Sequence, residues 1–105
     1  MKPEKGFYYH YKHTGKSLED YAYEVVNIAH HTEIADFDES AMVVYRPLYK
    51  EAKVFKAGAH YDVRPLKMFL ESVSKDGKTF PRFSKITDPN IVAHLEKMKR
   101  EMYGE

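Results

Sequence analysis

One phrase occurs twice in this chain. Met42-Val43-Val44-Tyr45-Arg46-Pro47-Leu48-Tyr49 and Tyr61-Asp62-Val63-Arg64-Pro65-Leu66-Lys67-Met68-Phe69 each run β-branched or aromatic residues into Arg-Pro-Leu and then into an aromatic. The physical reading is the same both times. A strand ends at Arg, proline removes the next ladder donor and fixes φ, and the chain turns with its Leu inward. The echo predicts two strand ends that deliver Arg46 and Arg64 to comparable positions. With 105 residues there is room for one core, so both ends belong to a single small fold.

The other segments read as strands, with a change of period at the end. Phe7 to His13 is a first strand dense in aromatics, with Phe7, Tyr9 and Tyr11 on one face and Tyr8, His10 and Lys12 on the other. A second strand runs from Tyr21 to about His31. The acidic segment 32–40 is a loop, and Ala41 to Leu48 is a third and central strand. Residues 49–59 read as a lysine-rich loop, and His60 to Arg64 as a short fourth strand. Pro65 then starts one helical turn. Asp76-Gly77 between two β-runs calls for a two-residue type I′ hairpin that pairs Val73 with Phe80, Glu71 with Arg82 and Leu70 with Phe83. Pro81 makes that arm an edge strand. From Asp88, an N-cap followed by proline, Ile91, Leu95, Met98 and Met102 fall on one helical stripe. The expected architecture is mainly β: a small, partly open SH3-like β-barrel of about five strands over residues 1–87, with a short helical turn, and a C-terminal amphipathic helix over 88–105.

Composition removes several function classes. No cysteine means no disulfide framework, thiol nucleophile or thiolate metal site. The opening residues lack an apolar leader and no long apolar run follows, so a cytoplasmic protein with no membrane contact is expected. The net charge of +1 is unevenly spread: residues 1–40 hold four Lys/Arg and eight Asp/Glu, whereas 41–87 hold ten and four. A basic middle suits a phosphate-facing surface and equally a set of solvated edge lysines.

The blocks Tyr8-Tyr9-His10-Tyr11-Lys12, Ala29-His30-His31-Thr32-Glu33, Val43-Val44-Tyr45-Arg46, Val63-Arg64-Pro65-Leu66, Asp76-Gly77 and Pro81-Arg82-Phe83 resemble, in this order, a bacterial family known as domain of unknown function 1653. The resemblance covers about residues 6 to 84. It implies an SH3-like barrel and carries no assigned activity. Asp62 stands where the family often has Trp, and the terminal helix lies outside the match.

Chemistry is ranked on that frame. His10 and His13 point to opposite strand faces, as do His30 and His31, so no local chelating pair exists and no metal or cofactor is expected. The glycines form no phosphate loop, and no serine sits in a nucleophile elbow, so an enzyme is the less favoured class and no catalytic residue is named. The preferred reading is a binding module presenting Tyr9, His10, Tyr11, Lys12, His31, Glu33, Tyr45, Arg46, Arg64 and Arg82 to an unidentified ligand or protein partner. One alternative is RNA or single-stranded DNA on the basic middle. Another is a small hydrolase using a His/Glu acid–base pair, such as His10 or His31 with Glu33 or Glu24. Monomer and homodimer are both compatible with the helical stripe.

Overall fold

A computed structural model describes residues 3–105. In chain order the elements are β1 (Gly6–His10), β2 (Ala22–His30), α1 (Phe37–Ser40), β3 (Ala41–Pro47), α2 (Lys53–Lys56), β4 (Asp62–Pro65), α3 (Leu66–Leu70), β5 (Ser72–Lys75), β6 (Lys78–Pro81), β7 (Phe83–Lys85) and α4 (Pro89–Tyr103). Strands β1 to β4 form an antiparallel meander. β7 returns to pair with β1, giving a five-stranded sheet of order β4-β3-β2-β1-β7. β5 and β6 form a separate two-stranded sheet. The described residues are therefore mainly β, with seven strands where about five were expected, and the large sheet stays open at β4 and β7, in keeping with a partly open architecture.

Each face of the sheet carries its own packed layer, because alternate residues of each strand face opposite sides. On one side Tyr8, Val25, Val43, Tyr45 and Phe83 pack with Phe69 of α3. This aromatic face is knitted by ring contacts, including a parallel stack of Phe69 on Phe83 at 4.2 Å. On the other side Phe7, Ala22, Leu48 and Ile86 pack with Leu95 of α4, and Ile91, Val92 and Tyr103 extend that contact. The helical stripe of α4 thus lies on the sheet.

Local chemistry sets the elements. Asp88 caps α4 by accepting from the backbone N–H groups of Asn90 and Ile91, and Gly104 ends it at φ 74°. The β5–β6 turn has φ 53° at Asp76 and 75° at Gly77, the positive pair that a type I′ turn needs. Val73 pairs with Phe80 as expected, and Glu71 accepts the Arg82 backbone N–H. There the pairing stops. Phe83 turns away to pair with His10 on β1, so the expected Leu70–Phe83 pair is not made.

Three other expectations are corrected. The first strand ends at His10, and Tyr11 and Lys12 lie in a turn. The acidic loop and the lysine-rich loop each contain a one-turn helix, α1 being capped by Asp36. Arg46 and Arg64 do not reach comparable positions. Arg46 pairs with Glu24 across β2–β3, on the helix face, while Arg64 lies opposite Val43, on the aromatic face. Val43 and Arg46 are three positions apart on β3, and an odd separation in a strand changes face.

Candidate ligand-binding face

At the end of the sheet where β1 stops and β2, β4 and β7 begin, the aromatic face is only half covered. Phe69 and Leu66 pack on its middle. Beyond them lie half-buried His10, Tyr21, Tyr23, Tyr49, Asp62, Arg64 and Arg82, over a floor of buried Tyr45 and Phe83. His10 rests edge-on against Phe83 at 5.1 Å between centroids, with Tyr21 at 6.0 Å on its other side. Tyr49 neighbours both Tyr21 and Tyr23 at 5.7 Å, and the Tyr23 and Tyr49 hydroxyls are hydrogen-bonded at 2.7 Å. Burial raises the pKa of both phenols, so they stay neutral at any physiological pH.

Tyr21 reaches this position at a conformational cost. Its φ is 53°, in the left-handed region that a bulky side chain seldom adopts. That backbone sets the Tyr21 carbonyl to accept from the His10 N–H at 3.0 Å, joining the start of β2 to the end of β1. Backbone strain of this kind clusters at functional sites, which makes the half-covered face around Tyr21 a candidate for one.

The cations here are incompletely partnered. Arg64 donates from Nε to the Tyr45 hydroxyl at 3.2 Å and lies 5.5 Å from the Phe83 ring centre. Among the described residues neither Arg64 nor Lys12 makes an ion pair. Arg82 pairs through Nη2 with Glu71 at 2.9 Å, but its buried Nε has no hydrogen-bond partner among the described residues. Burial first, and then the charges of Arg64, Lys12 and Arg82, lower the pKa of His10 to about 4. His10 is thus a neutral imidazole whose Nδ1 accepts the Lys12 backbone N–H at 3.2 Å. Burial raises the pKa of Asp62, with Arg64 pulling it back.

The sequence-derived site residues divide. His10, Tyr11, Lys12, Tyr45, Arg64 and Arg82 come together on or beside this face. Tyr9 faces the helix side, where it stacks on His13 at 3.7 Å and donates to the Leu18 carbonyl at 2.5 Å. His31 and Glu33 are exposed beyond the far end of β2, a strand of nine residues, or roughly 30 Å. They bond each other only through the Glu33 backbone N–H donating to His31 Nδ1. Glu24 is on the face opposite His10. None of the expected His/Glu pairs is therefore assembled; the pair that forms is His94–Glu19 at 2.8 Å, which ties α4 to the loop after β1.

Arg46 leaves the site altogether. It is 5% exposed and held by Glu24 at 2.9 Å, Glu105 at 2.8 Å and the Tyr61 hydroxyl at 3.3 Å, with the Tyr103 ring 4.1 Å from its Cζ. Desolvation opposes its charge, and the hydrogen bonds it donates to Glu105 and Glu24 overcome that, so its pKa lies above normal. The same Glu24 also binds Lys99 of α4 at 2.8 Å.

Sequence reasoning missed Tyr21, Tyr23, Tyr49 and Asp62. The tyrosine load was a signal, nine residues in a chain of 105, but strand alternation alone does not show which of them meet. No group of three or more potential metal ligands occurs among the described residues, and no helix among them is long and apolar enough to cross a membrane.

A family model described as Protein of unknown function (DUF1653) matches residues 6–85. The chain is similar to a solved structure of a protein of that family from Bordetella bronchiseptica, at 26% identity and a TM-score of 0.57, over 82% of this chain and 94% of the other. Comparison with curated proteins gave no match.

Proposed function

The chain belongs to the family of proteins of unknown function called DUF1653, and from that premise we propose that it is a binding module whose ligand joins an anionic group to a planar ring. One observation carries this reading: the cations Arg64, Lys12 and Arg82 surround a neutral His10 on a half-open, tyrosine-lined face. A phosphate or carboxylate supplies the acceptor these donors lack, since guanidinium groups bind such anions by charge-assisted hydrogen bonds. The rings of Tyr21 and Tyr49 supply a stacking surface for the planar part. His10 donates or accepts from the floor without adding charge.

The test is a set of NMR titrations with inorganic phosphate, benzoate and AMP. AMP should move the His10 ring and Tyr21 signals most, and it should raise the His10 pKa above about 4, because a bound anion offsets the three cations. Arg64→Ala and Arg82→Ala should each weaken binding. If none of these probes shifts His10 at millimolar concentration, the reading is wrong.

A further inference from the structure

The rings on this face are ordered in a way that a small anion does not need. Phe80, Tyr11, His10, Tyr21 and Tyr49 follow one another as neighbours, with centroid separations of 5.7, 4.5, 6.0 and 5.7 Å. Each ring is tilted from the next by 32–39°. The five rings come from five places: β6, the turn after β1, the end of β1, the residue before β2, and the turn after β3. All five are half-buried, so each keeps surface open to solvent.

A hollow lies at either end of the row. Tyr11 and Phe80 line one of about 410 Å³, together with Lys12, Lys75 and Lys78. Tyr21 and Tyr49 line another of about 460 Å³, together with Lys16 and Lys53. Acids are present too, Asp76 in the first hollow and Glu51 and Asp20 in the second. Asp20 is engaged by the backbone N–H and hydroxyl of Thr14. The first hollow is net cationic and the second is balanced, with the uncommitted charge of Arg64 between them.

We infer that the ligand of this face is a short single strand of nucleic acid, laid along the ring row with its ends in the two hollows. This rests on the proposal that the face binds a ring-bearing anion, and it names the class. Bases stack on aromatic side chains without regard to sequence, and lysines and arginines beside the rings follow the phosphates. Interleaved acids limit the electrostatic share, so recognition is mainly by stacking and the salt dependence is shallow.

The experiment measures fluorescence anisotropy of a fluorescein-labelled, mixed-sequence RNA octamer with the full chain across a salt series, beside NMR titration with AMP. The octamer should bind at least tenfold more tightly than AMP. Its affinity should fall with a log–log salt slope of about −1.4 to −2, as for two or three phosphate contacts. Tyr11→Ala and Tyr49→Ala, on opposite sides of His10 in the row, should each weaken the octamer about tenfold, whereas Tyr11→Phe should bind as the parent does. The double variant Lys75→Ala/Lys78→Ala alters only exposed side chains, so it tests the inference without risk to the fold; its salt slope should be shallower by about 0.7 to 1.4. An octamer that binds no tighter than AMP overturns the inference, as does one indifferent to Tyr11 and to the two lysines. If AMP still moves His10 in that case, the anion-binding face stands and only the strand is lost. If neither probe moves it, both ideas fall. A proline-rich decapeptide that occupies the row more tightly than the octamer likewise overturns the inference.

Discussion

On the helix face Arg46 is enclosed. Carboxylates from β2 and from the chain end hold its guanidinium, the Tyr103 ring lies over it, and Lys99 of α4 joins the same Glu24. On the aromatic face Arg64, set in the same Arg-Pro-Leu phrase, has a tyrosine hydroxyl and a phenylalanine ring, and among the described residues no carboxylate pairs with it. A charge removed from water is tolerable only when paired and hydrogen-bonded. Arg46 meets that condition inside the protein and so acts as a brace between sheet and helix. Arg64 is only half-buried, remains partly solvated, and retains donors that can be given to something else. One phrase thus supplies a clamp on one face and an open cation on the other, and the comparison can be broken at either arginine.

The largest effect is expected from Arg46→Ala. Removing it leaves Glu24 and Glu105 without their main partner and strips the cation from Tyr103, while Glu24 keeps only Lys99. Breaking one partner of a buried pair costs about 3–5 kcal/mol. Urea unfolding should show a loss of that size, and α4 amides should exchange faster than those of β2. A loss under about 1 kcal/mol would mean that Arg46 is no brace.

The brace shows what could and could not be read beforehand. Asp88-Pro89 and the stripe through Leu95 and Met98 are local signals, and α4 appeared where they placed it. Asp76-Gly77 was equally local, since two positive φ values in succession suit that pair of residues. The face taken by each arginine was not local. It depends on how β4 registers against β3, which is set across the intervening segment 48–61. Nor did any residue announce the turn of Phe83 from the hairpin onto β1, because the alternating pattern is continuous through Pro81. Tyr21 was hidden for another reason. Left-handed backbone is ordinarily signalled by Gly or Asn, and here a tyrosine adopts it. The ring face was therefore half legible: its cations were named, but the tyrosines that join them were not.

The second effect is a pH dependence on the aromatic face. His10 has a folded pKa of about 4, below its ordinary value of 6.5. Between those two pH values the unfolded chain binds a proton that the folded chain refuses, so unfolding becomes easier as pH falls. The stability held above pH 6.5 should decline through this window, by on the order of 1–2 kcal/mol once solvent screening of a half-buried group is allowed for. His10→Gln should remove that slope. Equal slopes in the parent and the variant would show that His10 titrates normally.

A smaller effect separates the parts of the clamp. Tyr103 donates to the Pro47 carbonyl at 2.6 Å while its ring covers Arg46. Tyr103→Phe keeps the ring and loses the hydrogen bond, for an expected cost of about 1 kcal/mol in urea unfolding. A cost as large as that of Arg46→Ala would place the brace in the hydroxyl and not in the charges.

The smallest change in stability, and the most discriminating, is expected from Arg64→Ala. Its lost contacts are one hydrogen bond to Tyr45 and a cation–ring contact with Phe83, both at a half-exposed site, so the cost should stay below about 1 kcal/mol. The same substitution removes the first of the charges that act on His10 after burial itself. The His10 pKa should therefore rise from about 4 toward its ordinary value, as followed by the ring proton shifts against pH. Arg46→Ala, across the sheet, should leave that titration in place if measured where the variant remains folded. A large stability loss with an unmoved His10 would make Arg64 a second brace and erase the difference between the faces. A small loss with a raised His10 pKa locates an uncommitted positive field on the tyrosine-lined side, which is the property an anionic ligand would use.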